Sequence, residues 1–416
     1  MPNPLNEHTG DKPAVDEASF RYEGWRIVVV CFFVATFGWA LGFYGQSVYL
    51  AELQRVHGWP SSLIATATSC FYLFGALQVA FVSEAMRALG ARNILILGVV
   101  CMAVATILLG RITEPWQLFA VYALLATGWA GTSLGAITNT LGLWFDKRRG
   151  MAISLSLNGA SFGGIIGVPL LVVAIGKLGF TEATLTVALV GAALLLPLIY
   201  LLVGKPPLRA LPVAASINNA PTQGIRAQAL RDPAFLTLTT AFALTLFAQV
   251  GVIVHLISYL DPVVGREKAA IAVSVMTAMA VIGRVLVSTV IDRMNQRVAS
   301  AASFASQALA LIIVINSREP AFILFACALF GFSVGNLITL PALILQREFN
   351  PRSFGVLVTL LTAITQIAYS FGPGIVGWLR EFSGGYATPF YFCIALQLLA
   401  ALLVLKGRAA PPHPAV

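Results

Sequence analysis

The chain has 416 residues, of which 58% are hydrophobic and only 10% are charged, and its formal net charge is +9. Soluble domains carry about 25% charged residues, so this composition excludes an ordinary soluble domain and predicts a polytopic membrane protein. The first 24 residues are polar and contain five acidic side chains, so no cleavable signal peptide is expected before the first span.

Twelve apolar windows then follow in chain order. Each is close to the roughly 20 residues that a helix needs to cross a bilayer. The pattern predicts an all-α membrane protein with twelve transmembrane helices in two pseudo-symmetric six-helix bundles. The windows lie near 26–50, 62–83, 93–111, 117–143, 150–176, 181–203, 234–258, 267–291, 298–316, 320–345, 354–378 and 386–405. The predicted parts are an N-terminal arm at 1–24, a first bundle at 25–203, a linker at 204–233, a second bundle at 234–406 and a tail at 407–416.

Basic residues are distributed unevenly between the two sides of this topology. The side with both termini carries 18 of the 26 Lys and Arg residues, the opposite side carries 7, and Arg284 lies within a span. Because basic residues accumulate in cytoplasmic loops, both termini are expected in the cytoplasm, with the protein in the cytoplasmic or inner membrane. The positive charge is scattered over short loops, so we expect a lipid bilayer around the protein and no nucleic-acid partner.

The sequence gives no sign of enzyme chemistry or of a metal site. The five cysteines all fall in apolar windows without metal-ligand spacing, so we expect neither a metal nor a cofactor. Three Gly-x-Ser-x-Gly runs, at 131–135, 159–163 and 331–335, lie inside predicted helices, not on the strand-to-helix turn of a hydrolase nucleophile. Their glycine spacing is typical of closely packed membrane helices. A membrane-embedded enzyme is therefore disfavoured.

A short motif occurs in both halves, after the second window and at the end of the eighth. The second copy reads Ser-Thr-Val-Ile-Asp-Arg-Met-Asn-Gln-Arg over 288–297, and the first reads Ser-Glu-Ala-Met-Arg-Ala-Leu-Gly-Ala-Arg over 83–92. Both resemble the Gly-x-x-x-Asp-Arg-x-Gly-x-Arg loop motif of the major facilitator superfamily, although the first copy has Arg87 in place of the aspartate. The resemblance implies a gating role for these loops and for the connection between the fourth and fifth spans. The residues concerned are Asp292, Arg293, Arg297, Gly90, Arg92, Arg148 and Arg149.

Three further stretches resemble the monocarboxylate transporter and oxalate–formate antiporter branch of that superfamily. They are residues 139–152, residues 255–260 and Gly283-Arg284 with Asp292-Arg293. The resemblance implies that the arginine of the eighth span binds a substrate carboxylate.

Departures from this branch narrow the expected mechanism. Proton-coupled members carry an aspartate one turn before the arginine, where this chain has Ala280, and a lysine in the first span, where it has Gln46. The eleventh window contains no second cation, and a single buried cation suits a small organic monoanion better than a dianion. A coupling proton, exchange and facilitated diffusion are all left open.

Arg284 is the strongest single candidate for a site residue. It lies eight residues before Asp292, about 12 Å along a helix, and so well inside the span. A guanidinium there is costly unless it meets water, a partner or a substrate, and no acidic residue lies in the interior of any predicted span. We expect a substrate carboxylate as its counter-ion, held by two charge-assisted hydrogen bonds. Pairing with backbone carbonyls is the structural alternative.

Other polar side chains in the windows complete the candidate site. His255 is the only histidine in a window, and it either handles substrate or a proton near neutral pH or is satisfied within the helix packing. Tyr44 matches a pathway tyrosine of the resembled branch. The remaining candidates either line the cavity or form interhelical hydrogen bonds. The predicted substrate-binding residues are Arg284, His255, Tyr44, Tyr259, Asn139, Asn158, Asn336 and Gln366.

Together these features predict a secondary active or facilitative transporter that moves a small organic anion by alternating access around Arg284. The sequence has no Gly-rich phosphate loop ending in Gly-Lys-Ser/Thr, so ATP-driven pumping is disfavoured. The alternative is a multidrug or metabolite efflux carrier of the same fold, but the predicted spans lack the buried acid expected for cationic drugs.

Overall fold

The computed structural model describes Glu17, Ser19 and residues 22–204, 222–350 and 353–406. Within these residues, twelve helices are long and apolar enough to cross a membrane, which confirms the number and order of the predicted spans. Most of the predicted arm and linker and all of the predicted tail lie outside the described residues, so these domain limits stay predictions. The helices are α1 Gly24–His57, α2 Ser61–Ala80, α3 Ala91–Leu109, α4 Pro115–Gly142, α5 Arg149–Leu178, α6 Phe180–Leu202, α7 Pro233–Val264, α8 Arg266–Val290, α9 Gln296–Asn316, α10 Pro320–Ile338, α11 Phe354–Ser383 and α12 Ala387–Leu405.

Several helices end at different residues from their apolar windows. Helix α1 continues to His57 and α7 to Val264, past the predicted ends at 50 and 258. Helix α10 ends at Ile338, and a separate helix, Leu340–Glu348, forms the rest of the tenth window. Pro341 explains this break, because proline lacks the N–H that would continue the hydrogen-bond ladder. Apolar windows therefore located the spans but not the polar helical turns beyond them.

The two halves of the chain repeat one packing pattern. In each half the first helix packs on the fifth, the second on the fourth, and the third on both the fourth and the sixth. Gly90, with φ +84°, starts the helix that carries Arg92, whose Nε–H donates to the carbonyl oxygen of Val203 at the end of α6. Arg297 has the equivalent partner in the second half, the carbonyl oxygen of Val404 at 2.8 Å. The repeated loop motif thus occupies equivalent places in two pseudo-symmetric bundles.

Glycines bring pairs of helices into backbone contact within each half. A Cβ atom on Gly159 of α5 would meet the carbonyl oxygen of Phe32 on α1 at 2.0 Å. A Cβ on Gly335 of α10 would meet the carbonyl oxygen of Ala280 on α8, also at 2.0 Å. No larger residue fits at either contact without a backbone shift, which is the packing role expected from the glycine spacing.

Two π-helical turns face each other where α1 meets α5. Helix α1 changes to π geometry over Trp39–Tyr44, and α5 does so over Gly163–Gly167. A Cβ on Gly163 would lie 2.8 Å from the backbone nitrogen of Ala40, so the two turns are in direct contact. A π turn inserts an extra residue and redirects the side chains that follow, and such turns occur frequently at functional sites.

Contacts between the two halves concentrate at one membrane face. We call the face where α1 begins and α12 ends the terminal face, and the opposite one the distal face. Helix α2 packs on the last segment of α11, Gly372–Ser383, where the Gly374 N–H donates to Ser69 Oγ at 2.9 Å. Helix α8 packs on Val168–Leu178 of α5, and Gly45–His57 of α1 packs on α7. These segments are the distal parts of their helices, so the halves are joined near the distal face.

An ionic cluster around one buried carboxylate adds to this distal closure. The Glu52 side chain is only 2% exposed, accepts a hydrogen bond from Arg55 at 2.9 Å and pairs with Arg266. Because Arg266 begins α8, the cluster bridges the two halves. A further bond between the halves runs from Arg380 to Ser61 Oγ at 2.9 Å. The sequence did not indicate the cluster, because the first apolar window ended before Glu52 and gave no reason to bury that carboxylate.

Candidate functional site

Arg284 lies on the side of α8 that faces the first half of the protein. Its side chain is partly buried, and its Nε–H donates to the carbonyl oxygen of Gly335 on α10 at 3.3 Å. Side chains on a helix lean towards its N-terminus, so the guanidinium reaches in the distal direction, where Tyr44 is an electrostatic neighbour. Among the side chains that the structure describes, no carboxylate pairs with it.

Helix α10 tightens at the carbonyl group that holds Arg284, which leaves this oxygen without its usual backbone donor. The Thr339 N–H donates to the carbonyl oxygen of Asn336 at 3.1 Å, in a 3-10 turn, and not to Gly335 as in a regular α-helix. Pro341 follows two residues after Thr339 and has no N–H, so the regular pattern of backbone hydrogen bonds cannot continue through it. The Gly335 oxygen therefore anchors the guanidinium through Nε–H. Both terminal nitrogens of Arg284 have no hydrogen-bond partner among the described residues.

Tyr44 connects the two halves beside this arginine. Its side chain is 8% exposed and lies beside the Thr277 side chain of α8. Gly164 of α5 lies against both residues, since a Cβ there would meet Thr277 Cγ2 at 2.6 Å and Tyr44 Cε2 at 2.9 Å. Helices α1, α5 and α8 therefore meet around Tyr44, at the two π turns. Apolar periodicity gave no signal for Thr277 or Gly164.

Asn158 lies at about the same depth as Arg284 on the facing helix α5. From the contact between Gly164 and Thr277, Asn158 is six residues closer to the terminal face and Arg284 is seven residues closer. At 1.5 Å per residue these steps are about 9 and 10 Å. The Asn158 side chain is exposed. The shared depth keeps Asn158 as a candidate on the first half, and its contact with an anion on the guanidinium stays a prediction.

Asn336 belongs to the turn of α10 that accepts the hydrogen bond from Arg284, whereas Gln366 lies away from Arg284. Asn336 is 2% exposed, and its Nδ2 donates to the carbonyl oxygen of Phe332 at 3.1 Å, while its Oδ1 has no partner among the described residues. It follows Gly335 directly and so belongs to the turn that receives Arg284. Gln366 is partly buried on α11, and the described contacts do not join it to Arg284.

His255 is enclosed by the second half, where both ring nitrogens have protein partners. Its side chain is 0% exposed, and the Nε2 and Nδ1 atoms lie 3.1 Å from the Pro373 carbonyl oxygen and the Tyr386 hydroxyl. A carbonyl oxygen only accepts, so Nε2–H donates to Pro373, and in a neutral ring Nδ1 then accepts from the Tyr386 hydroxyl. The two bonds tie α7 to α11 and α12. They favour the packing role over substrate or proton handling.

Tyr259 and Asn139 also have structural partners away from Arg284. The Tyr259 hydroxyl donates to the carbonyl oxygen of Val314 on α9 at 3.0 Å. The Asn139 Nδ2 donates to Ser83 Oγ at 3.0 Å, which joins α4 to the connection between α2 and α3. Neither contact places its residue beside the guanidinium, so the geometry favours interhelical bonding for both.

Arg297 is the most completely bonded residue of the predicted loop motif. Its guanidinium forms two bonds to Glu348, at 2.6 and 2.7 Å, and a third to the carbonyl oxygen of Ala234 at 3.2 Å. Arg92, its counterpart, is more open and stacks over the Tyr200 ring at 5.4 Å. Both arginines join helices within one half, so they stabilise each bundle at the terminal face.

The other predicted loop residues contribute less defined contacts. The Arg148 N–H, at the start of α5, donates to the Glu17 carboxylate at 2.8 Å, which fixes that helix end. Arg149 and Arg293 are exposed, and the side chain of Asp292 lies outside the described part of the chain. A gating role for this group stays a prediction.

A sequence profile of the Major Facilitator Superfamily matches residues 28–362, most of the chain. The chain belongs to this superfamily. The fold agrees, because the structure is similar to that of a mutant of the nucleoside transporter NupG with a TM-score of 0.77 and 12% identity, over 92% of this chain and 99% of that one. Family and fold are those of transporters, and the twelve spans make this superfamily member an integral multi-pass membrane protein.

Relatives of this superfamily member align with it over most of their length at low identity. The MFS-type transporter pynF of Aspergillus niger is 26% identical, over 96% of this chain and 91% of that protein. The aspyridones efflux protein apdF of Emericella nidulans is 24% identical, over 90% and 74%. Monocarboxylate transporter 12-B of Danio rerio is also 24% identical, over 93% and 87%. These names differ in cargo, so the substrate has to be argued from the site.

The bonded state of His255 predicts a His255→Phe variant with an unchanged pH profile of transport. Over roughly pH 5.5 to 8, where a free histidine titrates, the variant and the wild type should show the same relative rates. The variant should lose about 1–3 kcal/mol of stability, since the Tyr386 hydroxyl and the Pro373 carbonyl lose a partner. Transport into proteoliposomes and thermal unfolding provide the two measurements. Tyr386→Phe is the matched control, and a changed pH profile in His255→Phe alone would show that the imidazole handles protons.

Proposed function

We propose that the protein is a secondary carrier that moves a small organic monoanion, such as a monocarboxylate, by alternating access around Arg284. One observation carries the proposal. The guanidinium is half-buried within α8, bonds one backbone carbonyl and has no carboxylate partner among the described side chains. An unpaired charge within a membrane span is costly, so a substrate carboxylate on the free terminal nitrogens supplies the missing counter-ion.

The surroundings of Arg284 support a site shared by both halves. The arginine belongs to the second half, while Tyr44 and Asn158 belong to the first. An anion that contacts all three would be bound across the interface that rearranges when two such halves rock against each other. Substrate binding would thereby bias the relative position of the halves.

Orientation and coupling follow from charges in the sequence. We place both termini in the cytoplasm and the protein in the cytoplasmic or inner membrane, because the topology predicted from the sequence assigns 18 of the 26 basic residues to the side of the termini. Ala280 occupies the position one turn before Arg284. A coupled proton would therefore need a carrier other than a carboxylate next to Arg284. The flux experiment described below distinguishes symport, exchange and uniport.

Flux into proteoliposomes tests the proposal directly. We expect saturable uptake of propionate, lactate or phenylacetate without ATP, and slower uptake of the dianion oxalate. Acceleration by an imposed pH gradient would indicate proton symport, and dependence on a preloaded anion would indicate exchange. Absence of flux for every carboxylate, from protein shown to be folded by circular dichroism and thermal unfolding, would contradict the proposal.

An efflux carrier for larger metabolites is the second candidate. The similarity to the aspyridones efflux protein favours it, since that alignment covers 90% of this chain. The same vesicles distinguish the two functions through Arg284. Transport of a neutral or cationic metabolite that is unaffected in Arg284→Ala would support efflux over anion transport.

A further inference from the structure

A group of aromatic side chains lies next to the proposed anion site. Binding of a small anion at Arg284 would not require these aromatic side chains. We call Trp39, Phe43, Tyr72, Trp129 and Tyr369 the aromatic wall. Its members come from α1, α2, α4 and α11, so it includes both halves of the protein. Trp39, Phe43 and Tyr369 keep part of their surface exposed.

The rings of the aromatic wall form one connected series. Phe43 stacks near Trp129, with centroids 6.3 Å apart and planes 25° apart, and meets Tyr72 edge-on at 5.9 Å. The centroids of the Trp39 and Trp129 rings are 4.7 Å apart. Tyr72 meets Tyr369 edge-on at 5.7 Å, which closes the series from the second half. Such centroid distances are those of favourable aromatic pairs.

The π turn of α1 connects the aromatic wall to Arg284. Residues five apart are brought together by the i→i+5 bonds of a π turn, so Trp39 and Tyr44 come towards one side of α1. The Phe43 ring is edge-on to the Tyr44 ring at 5.1 Å, and Tyr44 is an electrostatic neighbour of Arg284. The guanidinium also leans towards Tyr44 along the helix. A carboxylate on Arg284 therefore has aromatic surface within reach of its substituent.

We propose that the cargo is an aromatic monocarboxylate whose acid group binds Arg284 and whose ring packs against the aromatic wall. This inference rests on the proposed function, because it assigns the substituent of the same anion. A ring contact of this kind adds affinity beyond apolar area alone. Short aliphatic acids would fill the anion position and leave the wall uncovered.

Calorimetric titration of the wild-type protein in lipid nanodiscs tests the assignment with four matched probes. These are propionate, cyclohexylacetate, phenylacetate and the neutral phenylacetamide. We expect phenylacetate to bind at least about tenfold more tightly than propionate, with cyclohexylacetate between them. Phe43→Leu, which keeps apolar volume but removes the ring, should weaken phenylacetate binding by a factor of about 3 to 10 and leave propionate unchanged.

Phe33→Leu is the matched control, because Phe33 is an exposed phenylalanine of α1 outside the aromatic wall. It should leave all four affinities unchanged. Equal affinity for propionate and phenylacetate, or a Phe43→Leu variant that binds both as the wild type does, would overturn the aromatic assignment and leave the anion site intact. Equal binding of phenylacetamide and phenylacetate would instead overturn the proposed anion function.

Discussion

Arg284→Ala should reduce carboxylate transport by at least about a hundredfold while the protein still folds and inserts. Two hydrogen bonds to a charged group contribute about 1.5–3 kcal/mol each, and every 1.4 kcal/mol is tenfold in affinity. The loss of one bond to the Gly335 carbonyl should change stability little, because no carboxylate partner among the described side chains is left unpaired. Counterflow with the carboxylate that the wild type transports best, together with thermal unfolding, measures both effects.

Two further variants separate a binding role from a packing role for Arg284. Arg284→Lys keeps the charge but loses the planar fork and the Nε–H donor, so its transport should lie between that of Arg284→Ala and the wild type. Arg111→Ala is the control, because Arg111 also donates to a single backbone carbonyl, that of Ile107, but is exposed between α3 and α4. Wild-type transport by Arg284→Ala would end the anion-site proposal. A large loss of stability in that variant would favour the structural alternative.

The parts of the fold that depend on bilayer thickness were predictable from the sequence. Twelve apolar windows gave twelve helices, because each span must satisfy its own backbone within the hydrocarbon layer. The repeated loop motif predicted equivalent places for Arg92 and Arg297, and their carbonyl partners at Val203 and Val404 agree. The depth of Arg284 also followed from its position in its window. Each of these features depends on the sequence of a single helix or loop and not on which other helices pack against it.

The surroundings of Arg284 were not predictable, because they depend on contacts between distant helices. The Gly335 carbonyl accepts from Arg284 at the point where α10 tightens ahead of Pro341. The π turn that places Tyr44 against Thr277 has no signature in an apolar periodicity. His255 had two interpretations from the sequence, and only its neighbours on α11 and α12 favour packing. Whether a single polar side chain is buried and hydrogen-bonded depends on the helix that packs against it, which the local sequence does not reveal.

Neutralising Glu52 should open the distal face of the protein. Glu52→Gln keeps the shape of the side chain but leaves Arg55 and Arg266 without their shared carboxylate. Breaking a fully buried ion pair costs about 3–5 kcal/mol, and the 24% exposure of the Arg266 side chain places this cost below that range, where every 1.4 kcal/mol is still a factor of ten in an equilibrium constant. The Glu52–Arg266 contact joins the two halves, so its share of the cost falls on the distally closed arrangement, whereas the Glu52–Arg55 pair lies within α1 and is lost in both arrangements. We therefore expect a distally open population to become prominent in the variant.

Spin labels on cysteines introduced at Arg111 and Arg318 can measure this opening. Both positions are exposed on the distal face, one in each half, and the five native cysteines are replaced beforehand. In Glu52→Gln, double electron–electron resonance should show a longer distance component that is minor in the parent protein. Glu267→Gln is the matched control, since it removes the same charge from an exposed residue in the first turn of α8. Identical distance distributions in Glu52→Gln and the control would show that the Glu52 cluster does not hold the two halves together.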